Sequence, residues 1–162
     1  MEQDSSATPA RAVKSSVVVE AARRICGERG LRLTDLRLVT LEEVAGNGPV
    51  SAYRLMALLR RRLARAVHPP TVYRALDFLI GAGLVAKLES RSAYMIRNRP
   101  GRTQLAVLLL CDRCDRAVEY EDADVLRQLA GDAAALGFHL RTPIIECSGT
   151  CQRCAANMEA SL

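Results

Sequence analysis

Two Cys-x-x-Cys pairs in the second half of the chain, Cys111-Asp112-Arg113-Cys114 and Cys151-Gln152-Arg153-Cys154, constrain its fold more than any other feature. Each pair sets two soft sulfur ligands a short turn apart, and four such thiolates enclose a Zn²⁺ tetrahedrally at ~2.3 Å each. A closed Cys₄ set leaves no position for substrate or water, so the site reads as structural and the metal as part of folding. A disulfide framework is the competing reading. Met1-Glu2-Gln3-Asp4 is polar and is followed by no apolar signal core, and no run of 18 apolar residues occurs. The expected compartment is therefore the cytoplasm, where thiols stay reduced and available to metal. Two cysteines stand outside the pairs. Cys26 lies among Ala, Ile and Arg as a small buried hydrophobe. Cys147 is a spare thiol, a redox handle or a competing ligand.

Charge divides the chain. Residues 1–100 carry 17 Lys+Arg against 9 Asp+Glu, a net +8, whereas residues 101–162 carry 6 against 9, a net −3. A basic module joined to a mildly acidic metal module points to a polyanion bound at one end, nucleic acid first. With two histidines and no Gly-rich phosphate loop, no nucleophile–base pair or open metal site is visible. An enzyme is not expected, and no catalytic residue is assigned.

Periodicity gives the architecture. Residues 1–14 are aperiodic and read as a flexible tail. A first helix runs from Ser16 to Arg29 and ends near Gly30. Thr34 caps a second, stopped by Gly46-Asn47-Gly48-Pro49, and Ser51 caps a third, with Leu55, Leu58, Leu59 and Leu63 at helical spacing. That helix ends in Arg60-Arg61-Arg62 and Arg65. Pro69-Pro70 open a fourth helix with an apolar stripe of Val72, Ala75, Leu76, Leu79 and Ile80, closed by Gly81-Ala82-Gly83. Leu84–Glu89 and Ala93–Arg97 form a two-stranded hairpin. Residues 15–97 thus read as a winged helix-turn-helix, with 98–102 as linker. In 103–162 the expected order is strand (Gln104–Leu110), first cysteine pair, strand (Ala117–Tyr120), a helix capped by Asp122 or Asp124, and a strand over Phe138–Cys147 leading to the second pair. The fold class is α+β: a winged-helix DNA-binding domain followed by a small α/β dimerisation domain with a Cys₄ zinc site. Such a small sheet needs a partner face, so a homodimer is expected.

Pro69 to Leu79 (PPTVYRALDFL), Leu31 to Arg37 (LRLTDLR), Ser51-Ala52-Tyr53 and Cys111 to Cys114 (CDRC) resemble the ferric uptake regulator family, most closely its zinc uptake regulator branch. The resemblance covers roughly Ala21 to Cys154. It implies a dimeric, zinc-stabilised repressor of metal-homeostasis genes on pseudo-palindromic double-stranded DNA, with Tyr53 and Arg74 reading bases. Thr71 and Tyr73 begin the same recognition helix, and an Arg fork on guanine is worth ~1–3 kcal/mol of discrimination. Arg60, Arg61, Arg62 and Arg65 are then expected at phosphates. His68 falls on the DNA side, and His139 lies on a strand of the acidic module.

The family's sensing metal is held by a histidine in the first wing strand, a cysteine or histidine at the wing's end, a histidine seven residues before the first paired cysteine, and a carboxylate in the following strand. Here these positions read Ala86, Arg97, Gln104 and Glu119. A set missing three of four such ligands does not hold zinc at sensing affinity. One expectation is that Arg97 supplies the missing positive charge opposite Glu119, with Gln104 hydrogen-bonding nearby; another is that Arg97 is a solvated wing residue. Regulation by thiol redox or another ligand, and a protein-interaction zinc module without DNA, are the alternatives.

Overall fold

A computed structural model describes residues 15–101, 106–120, 122–140 and 144–159. The described residues up to 101 form one compact unit and those from 106 a second. The expected tail at 1–14 and the positions 102–105, Gln104 among them, lie outside the described residues.

The first unit contains α1 (Ser15–Glu28), α2 (Asp35–Asn47), β1 (Val50–Ser51), α3 (Ala52–Leu63), α4 (Pro69–Gly81), β2 (Val85–Leu88) and β3 (Ala93–Ile96). Helix ends follow local chemistry. At α1 the Leu31 amide donates to Cys26 O at 2.8 Å, and at α4 the Leu84 amide donates to Leu79 O at 2.9 Å. Both are six-to-one closures that need a left-handed residue, supplied by Gly30 (φ 62°) and Gly83 (φ 70°). Ser51 caps α3, its hydroxyl accepting from the Arg54 amide at 3.3 Å. Thr34 stands at the start of α2 without a side-chain cap bond.

The core is Leu- and Val-rich: Leu41, Leu55, Leu59, Val72, Leu76 and Leu79 are fully buried. Cys26 is buried with them, and burial pushes its thiol up from the ordinary value. The stripe expected on the fourth helix is therefore the face that α4 packs inward.

Three details differ from the sequence expectation. The wing is three-stranded, order β1-β3-β2, because Val50 and Ser51 pair antiparallel with Tyr94 and Ala93. Val50 is 1% exposed and part of the core, which holds this two-residue strand against β3. Second, residues 98–101 fold back onto the winged unit. The Gly101 amide donates to Gly83 O at 2.9 Å. One Arg29 amine donates to Ala82 O at 3.3 Å and the other to Gly101 O. Gly101 has φ +89°, and a Cβ there would lie 3.0 Å from Ile25 Cδ1, so glycine is required. Third, the first wing strand is one residue shorter than expected at each end, and the second begins at Ala93 as expected and ends one residue early.

The second unit comprises β4 (Ala106–Cys111), β5 (Ala117–Tyr120), α5 (Ala123–Ala135), β6 (Ile144–Gly149) and α6 (Gln152–Glu159). Asp122 caps α5, its carboxylate accepting from the amides of Asp124 and Val125. The sheet order is β5-β4-β6, antiparallel on one side of β4 and parallel on the other. A parallel neighbour requires a crossover, which α5 provides. The last strand begins later than expected, and Phe138, His139 and Leu140 precede it outside any strand. Among the described residues the buried side chains here are Val107, Leu108, Leu110, Cys111, Ala117, Glu119 and Ala133.

Candidate zinc clip and nucleic-acid interface

Parallel pairing of β4 with β6 builds the cysteine site. Parallel strands end at the same edge, and here Cys111 pairs with Gly149. The chain leaving β4 turns through Cys114, the chain leaving β6 turns through Cys151 into α6, and the two turns face each other. The Asp112 amide donates to Gly149 O at 2.8 Å and the Cys111 amide to Arg116 O at 3.0 Å, fixing both turns. Sequence spacing gave no sign of α6, whose first turn carries Cys154.

The four ligand sulfurs lie within 4.8 Å of one another, with Cys114 Sγ and Cys151 Sγ 3.9 Å apart. Tetrahedral zinc with ~2.3 Å bonds requires sulfurs about 3.8 Å apart, so the donor set fits Zn²⁺. Amides support the charge: those of Arg113 and Cys151 each donate to Cys111 Sγ at 3.4 Å. The Cys151 amide is the main cause holding the Cys111 thiol down to about 6. Cys154 is pushed up to about 12, first by its bond with Cys151, then by Cys114 and burial. Four crowded thiols cannot all ionise without a cation among them. All six cysteines are free in this structure. Cys147 is exposed on β6 and is not among the clustered ligands.

The winged unit carries the other candidate surface. On α4, Thr71, Tyr73 and Arg74 are exposed while Val72, Ala75 and Leu76 are buried. Tyr53, beside the α3 cap, is 82% exposed, far more than a packing aromatic tolerates. Arg37 stacks on Phe78, 3.6 Å from the ring centroid, bracing the inner side of α4 against α2. His68 occupies the cap position of α4, exposed and without a side-chain cap bond.

The arginine run divides. Arg61 and Arg65 are exposed. Arg62 is engaged within the protein, one amine donating to Glu43 at 3.1 Å and the other to Glu42. Arg60 donates from two nitrogens to Val67 O, at 3.3 and 3.2 Å. Arg60 and Arg62 were expected at phosphates, and both guanidinium groups already hold internal partners. This was unreadable from spacing, because Val67 O and the paired carboxylates are brought near only by tertiary packing.

The positions of the family's sensing ligands are divided between the two units. Ala86 is on β2, Arg97 follows β3, and Glu119 is on β5. Arg97 and Glu119 are each buried, 9% and 7% exposed, which excludes a solvated wing residue at Arg97. Among the described residues the four cysteines form the one cluster fit for a metal. No described helix is long and apolar enough to cross a membrane.

Fold and site together define a winged-helix transcription regulator with a cysteine-clipped second domain. The chain belongs to the ferric uptake regulator family, whose sequence profile matches residues 28–148. It is 41% identical over 136 residues to the zinc uptake regulation protein of Escherichia coli (strain K12), covering 82% of this chain and 78% of that one. The crystal structure of holo XcZur matches with a TM-score of 0.81 at 46% identity, covering 88% of this chain and 99% of that chain. A zinc uptake regulator complexed with zinc and DNA matches with a TM-score of 0.84 at 37% identity, covering 91% and 99%.

Proposed function

We propose that this regulator reads duplex DNA through α4 as a homodimer, keeps one zinc per protomer as a structural clip, and represses without an exchangeable sensing zinc. The two-sidedness of α4 carries the reading: a fully buried apolar face fixes the helix, and Thr71, Tyr73 and Arg74 stand exposed on the other. Arg74 presents its guanidinium fork to a base edge, Tyr53 adds a second contact, and Arg61 and Arg65 meet phosphates. A related regulator solved with zinc and DNA supports duplex DNA as the partner.

Cys111, Cys114, Cys151 and Cys154 hold the zinc, which supplies a four-way cross-link between β4 and β6. A closed thiolate set offers no coordination position for a substrate, so the reading includes no catalytic step. Leu136 and Phe138, 77% and 67% exposed after α5, support a second copy as partner of this thin domain. Loss of sensing rests on Ala86, Arg97 and Gln104, which leave Glu119 as the sole suitable ligand.

The test combines zinc content with DNA binding. The expected result is one zinc per protomer after mild chelation and operator affinity unchanged across a zinc titration. Arg74→Ala should cost ~1–3 kcal/mol of operator affinity and relax one base position. A second, exchangeable zinc that switches DNA affinity would sink the loss-of-sensing reading. Arg97→Ala at chelated zinc should weaken operator binding; unchanged affinity removes Arg97 as a charge substitute. The exposed thiol of Cys147 favours one further arm: operator binding compared under oxidant with thiols blocked and unblocked, where a difference means redox control.

A further inference from the structure

We propose that Arg60 is a positioning residue for DNA recognition: it ties the turn before α4 back to α3 and so sets the angle at which Thr71, Tyr73 and Arg74 are presented. The inference deepens the proposed function and rests on it.

The geometry begins where α3 ends. After Leu63 the chain reverses through Ala64, a non-glycine residue at φ 48°, and reaches α4 at Pro69. Within that turn Val67 is the buried residue, 4% exposed and part of the core, while its neighbours Ala66 and His68 are exposed. A buried Val67 side chain fixes the direction of its carbonyl. Arg60, one helical turn before the end of α3, closes two nitrogens on that carbonyl, at 3.3 and 3.2 Å. A planar guanidinium donating twice to one oxygen restrains direction as well as distance.

The start of α4 has little else to hold it. Pro69 and Pro70 have no amide hydrogen, and the His68 side chain makes no cap bond. The first amides that donate, Thr71 and Val72, both return to His68 O, at 3.0 and 3.3 Å. These bonds are internal to the helix start and do not attach it to α3. Besides the fully buried Val72 side chain, attachment at this end falls to the Val67 side chain and the Arg60 fork. Base readout by a guanidinium depends on contacts of roughly 2.7–3.2 Å with strict direction, so a small tilt at Val67 degrades Arg74 before it disturbs nonspecific phosphate contact. A phosphate-binding arginine has the opposite signature, giving affinity and salt dependence without sequence choice.

The experiment first lets the wild-type dimer select a duplex from a randomised pool. Binding to that duplex, and to a copy with its most strongly selected base pair changed, is then measured across a KCl series for Arg60→Ala, Arg60→Lys and Arg61→Ala. Arg60→Ala should cut discrimination between the duplexes by at least about fivefold while leaving the slope of log Kd against log[KCl] at the wild-type value. Arg61→Ala should lower the slope by about one and keep discrimination. Arg60→Lys, which keeps the charge but loses the fork, should follow Arg60→Ala; wild-type discrimination in it means charge alone suffices and overturns the inference. A slope lowered by about one in Arg60→Ala, with discrimination intact, makes Arg60 a phosphate contact and also overturns it. Hydrogen exchange on the free protein is the arm independent of DNA: amides of residues 71–74 should exchange faster in both Arg60 variants. Unchanged exchange there removes the strut even where DNA binding is lost. A selection that enriches no duplex overturns the DNA reading itself, a failure distinct from either Arg60 outcome.

Discussion

The two units are stabilised by different physics. In the winged unit, four helices and a small sheet close over one core, with fully buried leucines and valines from α2, α3, α4 and the strands, and Val18, Ala22, Ile25 and Cys26 from α1. Among the described residues of the second unit, a three-stranded sheet and two helices bury only a handful of apolar side chains, and Leu109, Val125, Leu136, Phe138 and Met158 stay exposed. A sheet that small is marginal by burial alone. On the proposed function, what compensates is a zinc held by the ligand set at one edge and a second copy on the exposed apolar surface. That reading makes the chain one domain that folds from its own sequence and one that is completed by what it binds.

The widest gap between the units should open when the metal site is broken. Cys111→Ser, or chelation of the wild type under native conditions, removes a ligand or the ion from the element joining β4 to β6, and structural zinc binding is folding free energy. The second unit should lose its cooperative transition and its protected amides, while the winged unit keeps its own. Calorimetry combined with hydrogen exchange reads both. Concerted loss of the two transitions would mean that the winged unit does not stand alone. The converse lesion is Leu79→Ala, which removes a fully buried side chain from α4. It should cost about 2–5 kcal/mol in the winged transition, with zinc content unchanged. Zinc loss on this substitution would show that the units fold as one.

Legibility followed separation along the chain rather than the division into units. The α4 face, the glycine-closed helices and the cysteine pairs each depend on residues close in sequence, so period and spacing display them. The third wing strand is two residues long, too short for any period to appear, and it exists because tertiary burial recruits Val50. The fold-back of 98–101 depends on Arg29 reaching two carbonyls 53 and 72 residues away. Composition at 98–102 reads as a linker because Pro and Gly mark turns, whether or not the turn is tied down. The internal partners of Arg60 and Arg62 were hidden for a related reason: a run of arginines on a helix reports charge, and only packing reveals which of these exposed guanidinium groups also hold partners within the protein. Glu119 and Arg97 were singled out by position, and their burial was not visible in either composition or period.

The smallest expected effect sharpens the comparison at one helix. Asp122 begins α5 by accepting the Asp124 amide at 2.8 Å and the Val125 amide at 3.3 Å, and it also accepts the Tyr120 hydroxyl at 2.8 Å. The Tyr120 bond is the main cause holding its carboxyl below the ordinary value, with the two amides adding to it. A carboxyl whose pKa is lower folded than unfolded binds fewer protons in the native state. Its stabilisation is therefore fully present above the unfolded value of ~3.9 and is lost as pH falls through the lowered folded value. Asp122→Asn keeps an oxygen acceptor and so should retain most of the cap at neutral pH, whereas Asp122→Ala should speed exchange of the first-turn α5 amides. Because the second unit has so little buried surface in reserve, this loss of one cap should propagate along α5. Ser51→Ala at the start of α3 removes the comparable cap from the winged unit, where Leu55 and Leu59 remain fully buried, and its effect should stop at the first turn. Equal spread of exchange in the two helices would erase the distinction between a unit held by burial and one held by ligands.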